Sequence, residues 1–213
     1  MRNEIIENIR AHQDELPTEG LAPLHKPQML LIGCVDARLN PKTDIGIPDG
    51  AAIIHRNIAA LVREMDEQGS SVAASLEFAI NVMRVQHIVV MGHTDCGGIR
   101  ACLEDNHTHD TAHIRKYLLP LSEVRDDVLA HGGDIQAQAR AMEMAAVKQS
   151  VANLMTYEVV QKSFDQGRVD IHGWVINTGT KRILELDLRT GDFWPMSPEK
   201  SAQALHCALP EKA

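Results

Sequence analysis

The chain has 213 residues, of which 44% are hydrophobic and 23% are charged, and 21 Lys+Arg against 29 Asp+Glu give it a formal net charge of −8. This length fits one domain with a substantial buried core. The acidic balance offers no clustered Lys and Arg for nucleic acids or anionic membranes, so we expect neither as a partner. No apolar run approaches the roughly 18 residues of a membrane span. The N-terminal residues show no secretory signal, and we expect a soluble, cytoplasmic protein.

The hydrophobic pattern alternates between strands and helices along most of the chain. Ile5, Ile6 and Ile9 recur at helical spacing and predict an amphipathic helix in an N-terminal arm, residues 1–26. Further helices are predicted over 71–83, 114–130 and 137–165. Strands are predicted over 29–32, 51–55, 87–91, 169–177 and 182–188, the last two joined by a turn at 177–179.

This alternation predicts an α/β fold with a mostly parallel central sheet flanked by helices. We expect about four parallel strands plus one antiparallel edge strand, within a domain that covers residues 27–190 and precedes a C-terminal tail, residues 191–213. Sheets of this kind bind ligands outside the carboxyl ends of their strands. The segments that follow the first and third strands are Gly33 to Arg38 and Gly92 to Gly98, the second of which is predicted to be a loop leading into a helix.

Three potential metal ligands stand in these two segments. Cys34, His93 and Cys96 can converge on one point if the two strands are neighbours, and thiolate and imidazole donors suit zinc. Three protein ligands leave a fourth position open, which is typical of a catalytic zinc site. The alternative is that both cysteines are ordinary buried thiols and that His93 is a hydrogen-bonded loop histidine. The other two cysteines, Cys102 and Cys207, have no ligand pattern near them.

Asp36 and Arg38 add a possible catalytic pair. Two thiolates cancel the formal charge of a zinc ion, so a water on that ion needs help to lose its proton. A carboxylate that accepts a hydrogen bond from the water provides this help, and a bidentate arginine keeps the carboxylate ionised and oriented. A simple loop salt bridge is the alternative. A phosphate-binding loop is disfavoured, because Gly98 and Ile99 stand where that motif requires Lys and Ser or Thr.

Four motifs occur in a fixed order: CxDxR at 34–38, HRNIA at 55–59, HxxCGG at 93–98 and IHGW at 171–174. In this the chain resembles beta-class carbonic anhydrases over about residues 27–188. The resemblance implies a zinc-binding catalytic domain with one zinc ion per chain on Cys34, His93 and Cys96. It also implies that Asp36 and Arg38 form a catalytic dyad, with Asp36 as a possible fourth ligand in a closed state. The implied reaction is attack of zinc-bound hydroxide on carbon dioxide, which gives bicarbonate and a proton.

The same resemblance assigns substrate contacts and an assembly. Gly97 would contact bicarbonate through its backbone N–H, while Ile53, Ile58 and Phe78 would form a small apolar pocket for carbon dioxide. Each of these three apolar residues also fits an ordinary core position. A homodimer or homotetramer is implied, because family members bury their N-terminal helix at a subunit interface.

Other functions remain open at this point. Related proteins hydrolyse carbonyl sulfide or carbon disulfide on the same scaffold, and a non-catalytic protein could close its zinc site with four ligands. A histidine cluster at His107, His109 and His113 could bind a second metal or relay protons, although a solvated loop explains it more simply.

Overall fold

The computed structural model describes residues 4–15, 25–66, 69–105 and 109–196 of the chain. Within these residues a six-stranded sheet forms the centre of the fold. Its strands are β1 (Met29–Cys34), β2 (Ala52–Asn57), β3 (His87–His93), β4 (Asp170–Ile176), β5 (Ile183–Leu186) and β6 (Phe193–Pro195).

The strands lie in the order β2-β1-β3-β4-β5-β6, with the first four parallel and β5 and β6 each antiparallel to the preceding strand. This confirms the predicted mostly parallel α/β sheet. The short strand β6 was not predicted, and it extends the sheet beyond the expected domain limit at residue 190. The division into arm, catalytic domain and tail stays a prediction.

Helices connect the strands and cover the sheet. They are α1 (Glu4–Glu15), α2 (Pro41–Ile45), α3 (Ser71–Glu77), α4 (Gly97–Glu104), α5 (Ala112–Leu118), α6 (Ser122–Ala130), α7 (Ile135–Leu154) and α8 (Glu158–Asp165). A π-helical turn, Phe78–Val82, continues α3, and a 3-10 turn, Leu119–Leu121, joins α5 to α6. The described helices include none with the length and apolar character that crossing a bilayer requires.

The prediction of one continuous helix over 137–165 is wrong, because the chain turns between α7 and α8. The Thr156 hydroxyl donates to the carbonyl oxygen of Asn153 at 2.7 Å and accepts the Met65 N–H at 2.9 Å. The Tyr157 hydroxyl donates to the carbonyl oxygen of Arg63 at 3.0 Å. In the backbone, the N–H groups of residues 155–157 bond to carbonyl oxygens three residues earlier instead of four, and this tighter turn ends α7. The apolar periodicity continues across the break without revealing it.

Two apolar clusters lie on opposite faces of the sheet. Alternation along β1 directs Leu30 and Ile32 to one face and Leu31 to the other. Residues of α3 and α8 join the first cluster, and residues of α4, α5 and α6 join the second, while α7 contributes to both. Helix α1 is different, since Ile5, Ile6 and Ile9 are 68%, 49% and 51% exposed. Its predicted packing against a second copy of the chain stays a prediction.

Helix α7 approaches the sheet closely above two glycines. A Cβ added at Gly92 of β3 would lie 2.6 Å from Val147 Cγ2, and one added at Gly173 of β4 would lie 3.1 Å from Val147 Cγ1. Val147 cannot turn away easily, because a β-branched side chain has one strongly preferred rotamer in a helix. The two glycines therefore set the distance between α7 and the strand that ends at His93.

We expect Gly92→Ala to lower the free energy of unfolding by about 1–3 kcal/mol, the usual cost of forcing extra atoms into a packed core. In a Val147→Ala background the same substitution should cost less than about 1 kcal/mol, because its contact is gone. Urea unfolding of the four proteins of this double-mutant cycle measures the difference. Equal costs in both backgrounds would contradict the close packing.

Candidate metal centre

The strand order brings the two predicted ligand segments together. β1 and β3 are parallel neighbours, with Gly33 opposite Met91, so Cys34 and His93 lie at the same edge of the sheet. The expected loop over 92–98 is shorter than predicted, because Gly92 and His93 belong to β3 and α4 begins at Gly97. Asp95 adopts a left-handed backbone (φ 58°) and turns the chain so that Cys96 follows directly before α4.

Cys34, His93 and Cys96 form a compact buried group. One ligand atom from each residue lies within 4.8 Å of the others. The two Sγ atoms are 3.9 Å apart, and a tetrahedral zinc ion with Zn–S bonds of about 2.3 Å places its sulfur ligands about 3.8 Å apart. The sulfur separation therefore fits a shared zinc ion without rearrangement.

His93 presents a free nitrogen to this group. Its Nδ1 lies 2.9 Å from the carbonyl oxygen of Thr94, and because a carbonyl only accepts, the proton is on Nδ1. The other nitrogen, Nε2, is buried and has no hydrogen-bond partner among the described residues. Buried polar atoms rarely lack a partner. A bound metal ion would account for this one, and hydrogen bonding of the second imidazole nitrogen to the backbone is usual for histidine ligands.

The two sulfurs shift each other's pKa in opposite directions. The hydrogen bond with Cys96 lowers the pKa of Cys34, and the same bond raises the pKa of Cys96. Zinc binds the thiolate form of cysteine, so the lowered pKa of Cys34 favours metal binding at this sulfur.

Asp36 and Arg38 form the predicted pair beside this group. Arg38 Nε and Nη2 donate to the two carboxylate oxygens at 2.9 and 2.7 Å, and the Arg38 backbone N–H adds a third bond at 2.9 Å. These bonds hold the pKa of Asp36 well below its usual range. Asp36 Oδ2 lies 3.9 Å from His93 Nε2, so the ionised carboxylate faces the metal ligands.

The backbone of the 34–38 segment is held by cations that the sequence did not assign. Arg56 donates to the carbonyl oxygens of Cys34 and Asp36 at 2.8 and 2.6 Å, and Lys181 Nζ donates to that of Arg38 at 3.1 Å. Arg38 itself donates to the Asp95 carbonyl oxygen at 2.8 Å and so connects the two ligand segments. The HRNIA motif contained the signal for Arg56, whereas nothing near Lys181 indicated its role.

Glu143 of α7 supports the second ligand segment and was also missed. Its side chain is only 2% exposed, and Oε1 accepts the Cys96 backbone N–H at 3.2 Å. Arg140 donates to Glu143 Oε2 and to Asp95 Oδ1, both at 2.8 Å. A glutamate and an arginine three residues apart usually indicate a solvated helix face, but here they connect the core to the segment that carries Cys96.

The predicted substrate residues occupy different surroundings. Gly97 is exposed at the first turn of α4, and Ile58 packs against the apolar cluster that contains Cys34 and Cys96. Ile53 packs against the cluster on the other face, and Phe78 is 44% exposed. The structure therefore places Ile58, but not Ile53, with the cluster of the metal ligands, and the predicted substrate contacts of all four residues stay predictions.

The family model, the related sequences and the solved structures all indicate the same protein family. Residues 29–183 match a family model described as "Carbonic anhydrase". The mitochondrial beta carbonic anhydrase 6 of Arabidopsis thaliana is 32% identical over 75% of this chain, which spans about half (56%) of that relative. Carbonic anhydrase 1 of Escherichia coli O157:H7 is 31% identical over 89% of this chain and 85% of its own length. A tetrameric beta-carbonic anhydrase of Sordaria macrospora superposes with a TM-score of 0.70 at 29% identity, covering 87% of this chain and 93% of that one.

We expect Arg140→Ala to lower the free energy of unfolding by about 2–3 kcal/mol, because it leaves the buried Glu143 carboxylate without its cation. This expected loss is smaller than that for breaking a fully buried ion pair, because the Arg140 side chain is 35% exposed. Adding Glu143→Gln to this variant should restore most of the loss, because an amide oxygen still accepts the Cys96 N–H. Urea unfolding tests both variants, and an Arg140→Ala protein as stable as the wild type would contradict the role of the pair.

Proposed function

Because the chain belongs to the beta class of the carbonic anhydrase family, we propose that it catalyses the reversible, zinc-dependent hydration of carbon dioxide to bicarbonate and a proton. The observation that supports this most directly is the buried Cys34, His93 and Cys96 group with the Asp36 carboxylate facing it. Donors of this kind and number suit a zinc ion that keeps one position for water or substrate.

The three ligands would hold zinc through the two sulfurs and His93 Nε2. When bound, zinc supplies a Lewis acid that lowers the pKa of a water molecule so that it can act as a nucleophile. The chain's own contribution begins with the Thr94 carbonyl oxygen, which keeps the His93 proton on Nδ1 and leaves Nε2 available. Glu143 accepts the Cys96 N–H and keeps that sulfur beside Cys34.

Asp36 would accept the hydrogen bond of the reacting water. Its paired bonds from Arg38 keep the carboxylate ionised and aimed at the ligand group. In the proposed closed state, Asp36 would instead become a zinc ligand, and its bonds to Arg38 would have to break. The structure has the Asp36–Arg38 pair intact, which is the arrangement that leaves Asp36 free to accept from water.

The pair also borders solvent, which gives the released proton an exit. The Arg38 side chain is 52% exposed and that of Asp36 is 17% exposed, whereas the His93 side chain is fully buried. A proton that leaves the reacting water would therefore reach the solvent on the side of Asp36. On the other side, Ile58 packs with the cluster of the two cysteines and provides apolar surface suited to carbon dioxide.

We expect metal analysis of the purified protein to find about one zinc ion per chain, bound through Cys34, His93 and Cys96. Cys34→Ser and Cys96→Ser should each lose most of the zinc, because a neutral hydroxyl replaces a thiolate. Cys102→Ser is the matched control, since Cys102 is also a buried free cysteine but lies outside the ligand group. Equal zinc content in all three variants would contradict the ligand assignment.

In a stopped-flow assay of zinc-loaded protein, we expect carbon dioxide hydration that falls about 10²-fold or more in Asp36→Asn, the range for loss of a general acid–base group. The hydration rate of Arg38→Ala should also fall, because Asp36 loses the bonds that orient it. Asp49→Asn serves as the control, since Asp49 forms an exposed ion pair with Lys42. Carbonyl sulfide is offered as a rival substrate, and a zinc-loaded wild type that hydrolyses it but does not hydrate carbon dioxide would overturn the proposal.

A further inference from the structure

A second imidazole group lies on the sheet away from the candidate metal centre. His87 is the first residue of β3 and His172 is the third residue of β4, and His87 Nδ1 lies 3.3 Å from His172 Nε2. His93 is the last residue of β3, six residues after His87. At about 3.3 Å per residue, roughly 20 Å separates the two ends of the strand. The His87–His172 pair is therefore a separate feature of the molecule.

The ring nitrogen of His172 that is not directed at His87 is hydrogen-bonded to a carboxylate. His172 Nδ1 lies 3.3 Å from Glu185 Oε1, and the Trp174 indole N–H donates to the same oxygen at 3.1 Å. The hydrogen bond with His172 lowers the pKa of Glu185, so this carboxylate is ionised and can only accept. The His172 proton is therefore on Nδ1, and the lone pair of Nε2 points to His87.

We propose that His87 Nδ1 and His172 Nε2 bind a divalent transition-metal ion such as Zn²⁺ as a second metal site of this chain. Two nitrogens bound to one tetrahedral zinc at about 2.05 Å lie roughly 3.3–3.4 Å apart, which matches the separation in the structure. The order carboxylate, histidine, metal is the usual way in which a ligating histidine is oriented. In this site Glu185 is the carboxylate and His172 is the oriented ligand.

The surroundings favour a cation and allow it to enter. Asp170 Oδ2 lies 3.8 Å from His87 Nδ1, so a second carboxylate adjoins the pair. The side chains of His87 and His172 are 35% and 26% exposed, which leaves room for water to complete the coordination. Burial lowers the pKa of His87, which favours the neutral imidazole that binds a metal. Imidazole donors select Zn²⁺, Cu²⁺ or Ni²⁺ over Mg²⁺ and Ca²⁺.

Binding changes the tautomer of one histidine without releasing a proton. In the metal-free pair, Nε2 of His172 can only accept, so the hydrogen between the two nitrogens belongs to His87 Nδ1. An ion about 2.05 Å from both nitrogens would lie about 1.2 Å to one side of the line that joins them and would displace that hydrogen, and His87 would then carry its proton on Nε2. The ion would connect β3 directly to β4 and, through Glu185, to β5.

The test is isothermal titration of Zn²⁺ into tag-free, full-length protein that already carries its first zinc ion. We expect a second equivalent to bind in the wild type and its affinity to fall at least tenfold in His87→Gln and in His172→Gln. Glu185→Gln should weaken it by about tenfold, the effect of losing an orienting carboxylate. His131→Gln is the control, since His131 is an exposed histidine outside the pair.

Further variants and an NMR measurement distinguish the His87–His172 site from other metal sites of the chain. A His107→Gln/His109→Gln/His113→Gln variant should retain the second equivalent, and its loss there would assign the ion to the histidine cluster instead. Cys34→Ser should retain binding at the His87–His172 pair, which separates this proposal from the proposed function. In the wild type, NMR should show Zn²⁺ shifting the imidazole signals of His87 and His172 together. No second equivalent, or one that leaves both signals unchanged, would overturn the proposal.

Discussion

The parallel pairing of β1 with β3 is the constraint on which the candidate metal centre depends. Residues 34 and 93 are far apart along the chain, yet the register of these strands brings both to one edge of the sheet. Because parallel strands end on the same side, each can deliver a ligand there without a long loop. The turn at Asp95 then adds Cys96, and the whole group is buried by elements that also form the core.

Charged side chains hold the candidate metal centre in addition to the packing around it. Arg38, Arg56 and Lys181 donate to carboxylate or carbonyl oxygens of the 34–38 segment, which contains Cys34 and the ionised Asp36. The cations therefore offset the negative charge of the Asp36 carboxylate. They also fix the backbone of this segment, which would reduce the entropy cost of binding a metal ion.

Sequence reasoning predicted the parallel sheet and grouped Cys34, His93, Cys96, Asp36 and Arg38, because strand patterns and short motifs are local signals. It missed supporting contacts made over long separations: Arg56 bonds a residue 22 positions away, Glu143 one 47 positions away and Lys181 one 143 positions away. The break between α7 and α8 was missed for the same reason, since its bonds reach the distant loop at 63–65. Such contacts form only when the chain folds, and the spacing of residues along the sequence does not predict them.

Helix α7 gives the core a direct mechanical connection to the metal ligands. Glu143 and Val147 are four residues apart and therefore lie on one face of the helix; the first holds the Cys96 N–H, and the second rests above Gly92, the residue before His93. A shift of α7 away from the sheet would move the supports of two ligands at once. The packing around these glycines therefore also sets the positions of the candidate ligands Cys96 and His93. A bulkier residue there would disturb the candidate metal centre as well as the stability of the fold.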